Sequence, residues 1–83
     1  MKLTAMSNEV FEYVKNNGGK VSIEELTNAT GRSARSVGAN VTDLKKKSLA
    51  ERVKEKVEDK EVTYVVLTED GMNFVPSEDW LAS

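Results

Sequence analysis

The sequence predicts one small α+β domain: three helices, the second and third arranged as a helix-turn-helix, then a two-stranded β-hairpin. Three observations predict it. Ser22-Ile23-Glu24-Glu25 has the form of a helix capping box, and Gly31 ends that helix two turns later. Val37, Val41 and Leu44 then recur at helical spacing. From Leu49 the alternation changes to a period of two, as a half-exposed strand requires.

The elements follow in chain order. Residues 3–17 read as helix one, with Leu3, Met6, Val10 and Val14 on an apolar stripe and Thr4 or Ser7 as its cap. Asn16-Asn17-Gly18-Gly19 stops it, because Asn and Gly tolerate left-handed backbone. Lys20-Val21 is extended and available to pair with the hairpin. Helix two occupies 22–30. In its capping box the Ser22 hydroxyl accepts from the Glu25 amide, and the Glu25 carboxylate reaches back to the Ser22 amide. Val21 and Leu26 supply the hydrophobic staple. Helix three occupies 33–47, capped by Ser33, with Ala34, Val37, Val41 and Leu44 turned inward. Lys45, Lys46 and Lys47 suit the negative end of its dipole. The hairpin runs over 49–67. Leu49, Val53 and Val57 share one side of its first strand, and Arg52, Lys54 and Lys56 share the other; Glu58-Asp59-Lys60-Glu61 forms a polar tip. Thr68 caps a last short turn. The domain spans residues 1–75, and 76–83 is an acidic tail carrying Trp80 and Leu81.

Composition narrows the function. Eighty-three residues make a single domain. A chain of this size buries only about 60% of its unfolded surface, so the core is thin and a large catalytic cleft has no room. With no cysteine and no histidine, disulfides, zinc and iron–sulfur sites and the commonest general base are excluded. The carboxylates fall in caps, turns and the tail, and no pair is placed for catalysis, so neither an enzyme nor a cofactor is expected. No apolar run approaches a membrane span, and a cytoplasmic location is expected. The net charge is −2, unevenly spread. Residues 31–60 hold nine Lys/Arg against five acids, whereas residues 61–83 hold five acids and no base. The basic segment coincides with the helix-turn-helix.

In this order and spacing the residues resemble the winged helix-turn-helix superfamily, particularly its MarR-like bacterial regulators. The likeness rests on Glu25-Leu26, Gly31, Ser33, Val37, Val41, Leu44, Ser48-Leu49 and Leu67-Thr68-x-x-Gly71. It covers 22 to about 75, and helix one fits upstream. The short format also looks like small phage or prophage reading frames. Four residues depart from the family pattern. Thr27 stands where Ala is usual, Thr30 where an apolar residue is usual, and Ser48 where Gly is expected. Gly38 inside helix three costs up to about 1 kcal/mol relative to Ala.

The resemblance implies duplex DNA binding and transcriptional regulation, with helix three in the major groove. Its outward face carries Arg35, Ser36, Ala39, Thr42, Asp43 and Lys46, flanked by Asn40. Arginine reads guanine and asparagine reads adenine there, and Arg32 and Arg35 lie at the end of the helix that meets base edges. The Ser33 and Ser36 hydroxyls suit phosphate, as do Arg52 and Lys54 on the hairpin stem. Asp43 opposes phosphate unless it accepts from a cytosine amino group or pairs with Lys46 or Lys47. A homodimer through helix one and the tail would read a palindrome. The alternative is a protein-contact module, an adaptor or inhibitor of a regulator or polymerase, motivated by the acidic tip, the acidic tail and Trp80.

Overall fold

A computed structural model describes residues 3–74. They form α1 (Ala5–Asn16), β1 (Lys20–Ser22), α2 (Ile23–Thr30), α3 (Ala34–Lys46), β2 (Ala50–Val57), β3 (Lys60–Leu67) and α4 (Glu69–Asn73). The expected acidic tail, with Trp80 and Leu81, lies outside the described residues.

Helix boundaries follow their caps. Thr4, not Ser7, starts α1: its hydroxyl accepts from the Ser7 amide at 3.1 Å. Phe11 is buried with Val10 and Val14, which moves the centre of the inward face toward Ser7 and away from Met6. The buried stripe becomes Leu3, Ser7, Val10 and Val14, and Met6 is 51% exposed rather than interior. Leu3 enters the core from just before the helix. Ser22 caps α2 through the Glu25 amide at 3.0 Å, but the reciprocal arm of the box is not described. The Glu25 carboxylate accepts instead from the Tyr13 hydroxyl, at 2.8 Å. Gly31 takes the left-handed conformation (φ 69°) that ends α2. Ser33 caps α3 through the Ser36 amide. Ala34, expected inside, is exposed, because the first turn of α3 overhangs the core.

The C-terminus of α3 explains Ser48. The Leu49 amide bonds to the Leu44 carbonyl and the Ser48 amide to the Lys45 carbonyl, the paired bonds of a Schellman turn. This forces Ser48 to φ 61°, a region where a Cβ costs about 1–2 kcal/mol. Ser48→Gly should therefore raise stability by about 0.5–1 kcal/mol, after allowing for the freer unfolded chain. Denaturant titration would show a higher midpoint with the slope unchanged.

The three strands form an antiparallel sheet in the order β1-β3-β2. Lys20–Ser22 pairs with Tyr64–Val66, so the short extended segment does join the hairpin. The tip is tighter than expected. Only Glu58 and Asp59 turn, both at positive φ (52° and 65°), and Lys60 and Glu61 already pair in β3. One face of the sheet packs on the helices. Arg52 pairs with Val65 and Ala50 with Leu67, so Arg52 and Lys54 extend the core-facing side of β2 beyond the core. Val53 and Val57 face away and are about four-tenths exposed.

The core gathers Val10, Phe11 and Val14 of α1, Leu26 of α2, Val37, Val41 and Leu44 of α3, and Leu49, Val65 and Leu67 of the hairpin region. Each fully buried Val, Leu or Phe contributes about 1.5–3 kcal/mol. Phe74 closes one side, edge-on to Phe11 at 5.5 Å. Three helices in this order, a helix-turn-helix and a hairpin returning beside α3 make a winged helix-turn-helix with a short C-terminal helix.

Candidate nucleic-acid interface

Helix α3 presents three stripes, set by the turn of about 100° per residue. Val37, Val41 and Leu44 face the core and are completely buried. Arg35, Ala39, Thr42 and Lys46 form the outward stripe; Thr42 is half-buried and the other three are exposed. Between them runs a third stripe, Ser36, Asn40, Asp43 and Lys47, which faces α1.

The outward stripe is joined by the hairpin. Arg52 reaches over from β2 and donates through Nη2 to the Gly38 carbonyl (2.7 Å) and the Thr42 hydroxyl (2.9 Å). Its Nε and Nη1 groups have no described partner, and the side chain stays exposed. The guanidinium is thus held at the centre of the helix face with donors to spare. Lys54 lies further along the same side of β2, 3.5 Å from Glu61. Arg35 has no described side-chain hydrogen bond or ion pair. Among the described residues, Arg35, Ala39, Thr42, Lys46, Arg52 and Lys54 therefore share one basic surface.

Other predicted contacts are drawn elsewhere. The Arg32 side chain is only 15% exposed. Its Nη1 donates to Asn40 Oδ1 (2.6 Å) and Ser36 Oγ (3.4 Å), and its Nη2 to the Met6 carbonyl and Glu9 Oε1 (both 3.3 Å). Asn40 has both ends of its amide engaged, since Nδ2 donates to Ser7 Oγ at 3.4 Å. The Ser33 hydroxyl is occupied as the α3 cap, and the Ser36 hydroxyl faces Arg32. Four of the expected contact residues are thus committed within the free protein.

Asp43 no longer opposes the outward stripe. It accepts from Lys47 Nζ at 2.9 and 3.1 Å and from the Ser7 hydroxyl at 3.0 Å. Burial pushes its carboxyl up, but the bonds from Lys47 and Ser7 outweigh this and hold it below the ordinary value. The stability it contributes is present at neutral pH and is lost as pH falls through the lowered pKa. Sequence reasoning missed Ser7 as an interior residue. The signal was present in the spacing of Leu3, Ser7, Val10 and Val14, with a serine at an apolar position.

An open groove of about 470 Å³ lies away from this surface, lined by Tyr13, Ser22, Glu24, Glu25, Asn28 and Ala29. The Tyr13–Glu25 bond across it raises the Tyr13 pKa above its usual value. Among the described residues no group of three potential ligands could hold a metal ion, and no helix is long and apolar enough to cross a membrane.

No protein-family model matches the sequence, and no relative was found among curated proteins. Among solved structures the chain is similar to the transcriptional regulator homologue protein from Pyrococcus horikoshii OT3, with 15% identity and a TM-score of 0.72. The match covers 81% of this chain and 65% of that one, so the chain spans less than two-thirds of that protein's length. At this identity the likeness is one of fold, and it agrees with the winged helix-turn-helix read from the elements themselves.

Proposed function

We propose that this chain binds duplex DNA as a transcriptional regulator, with α3 in the major groove and the stem of the hairpin beside the phosphates. One observation carries the reading. The outward stripe of α3, with Arg35, Ala39 and Lys46 exposed and Thr42 half-buried, is met by a basic residue from the hairpin, Arg52. The small Ala39 lets the helix approach base edges, while Arg35 offers bidentate donors. Lys46, Arg52 and Lys54 supply the positioning contacts to phosphate. The similar structure is that of a transcriptional regulator homologue, which points the same way.

The finer parts of this reading are a MarR-like, phage-type, cytoplasmic regulator without enzymatic activity, and a two-fold dimer through α1 and the tail. In the DNA complex Arg32, Ser33, Ser36 and Asn40 act from behind the contact surface, with Arg35 as the principal base reader. The outward Val53 and Val57 favour a second reading, contact with a protein partner through the sheet.

Titration of random and genomic duplexes at several salt concentrations tests the proposal. With about four to six phosphates neutralised, log K should fall against log salt with a slope near −4 to −5. Flat titrations at low salt would remove the DNA reading and leave the protein-contact one.

A further inference from the structure

Five side chains form one hydrogen-bonded chain between α1 and α3. Arg32 donates to Asn40, Asn40 to Ser7, and Ser7 to Asp43, which also accepts from Lys47. Ser7 is 1% exposed and sits at the middle of this chain. The bonds run one way from Arg32 to Asp43, where Lys47 donates from the other side, and the buried Arg32 Nε has no described partner. At the Arg32 end, further bonds to the Met6 carbonyl and Glu9 fasten the guanidinium to α1.

We infer that this polar seam sets the rotation of α3 about its own axis, making Ser7 and Asn40 positioning residues for base reading. The inference rests on the DNA reading above and deepens it. Apolar contacts through Val37, Val41 and Leu44 are non-directional and tolerate a small turn of the helix. Hydrogen bonds weaken steeply as their angles close, so the seam does not. A helix is about 5–6 Å in outer radius, so a turn of about 10° carries its side-chain tips about 1 Å. A binding constellation needs its groups within about 0.5 Å. The seam stripe lies one residue's turn from the reading stripe, so a change in its bonds passes directly to Arg35 and Thr42.

Ser7→Ala is the variant of choice. It deletes the central link, removes no charge, suits a helix, and alters a residue buried between α1 and α3 rather than on the basic surface. Selection from a random duplex library should show wild-type preference weakened at several base positions together. Discrimination between the preferred site and random duplex should fall by about tenfold, comparable to one bidentate base contact. The salt slope should stay unchanged. Asn40→Ala should give the same profile, and the double variant should add little. An unchanged profile for Ser7→Ala, or a loss confined to one base position for Asn40→Ala, would overturn the inference; the second result would make Asn40 a direct reader. Residual dipolar couplings of the DNA-free protein provide the independent arm. The orientation of α3 relative to α1 should shift or broaden in Ser7→Ala, and an unchanged, equally narrow orientation overturns the seam. If wild type binds no duplex, the regulator reading fails, and the couplings alone decide the seam. They also decide it where the variant's melting point is too low for binding assays at room temperature.

Discussion

Gly71→Ala is expected to lower the stability of this protein by about 1–3 kcal/mol, the cost of forcing a methyl group into a filled site. A Cβ at Gly71 would stand 2.0 Å from the Leu49 carbonyl oxygen and 3.0 Å from its carbon, with Leu67 Cβ at 3.3 Å. The obstacle is backbone, so no side chain can swing away. The backbone is also tied in place. The Leu49 carbonyl accepts from the Thr68 amide at 3.0 Å, and the Thr68 hydroxyl donates to the Ser48 carbonyl at 2.7 Å while accepting from the Gly71 amide at 3.0 Å. These contacts close the base of the hairpin, joining the residues before β2 to the turn after β3. A domain of this size holds only about 4–12 kcal/mol in total. The thermal midpoint should therefore fall by roughly 4–8 °C for each kcal/mol lost. Circular dichroism during heating would show it; an unaltered midpoint would mean that α4 does not lie against Leu49.

The second large effect concerns binding. On the proposed function, Arg35→Ala should weaken the preferred duplex by about 1–3 kcal/mol and relax preference at one base position. Thermal stability should hardly change, because Arg35 is exposed and makes no described side-chain bond. Lys46→Ala should behave differently, weakening all duplexes alike and reducing the salt slope by about one. Paired gel-shift titrations on preferred and random duplexes separate the two. Equal losses on both duplexes for Arg35→Ala would make it a phosphate contact and leave base reading without its principal residue.

Much of the architecture was legible because local chemistry and tertiary packing agree. The Ser22 and Ser33 caps, the Gly31 stop and the Val37/Val41/Leu44 stripe depend on residues within a turn of one another, and each appears where the spacing places it. Where local signals were degenerate the reading slipped. Met6 and Ser7 sit on neighbouring faces, and the packing of Phe11 beside Val10 and Val14 decides which turns inward. Hydrophobicity favoured Met6, but the phase of the helix buried Ser7. The Glu25 carboxylate, expected to return to its own cap, was drawn to Tyr13 on another helix.

The candidate surface divides in the same way. Helical periodicity put Arg35, Ser36, Ala39, Thr42, Asp43 and Lys46 on one outward face; Arg35, Ala39, Thr42 and Lys46 stay there, while Ser36 and Asp43 turn to partners on the α1 side. It could not say that Arg32 and Asn40 are committed to α1, nor that Arg52 bridges to Gly38 and Thr42. Those partners lie 8–26 positions apart in sequence, and long polar side chains choose among acceptors only when the chain has folded. By itself the sequence determined the elements, their order and the side of α3 that faces out. The tertiary structure alone decided which polar groups remain available on that side, because hydrogen bonds are satisfied between elements and periodicity describes only one element at a time.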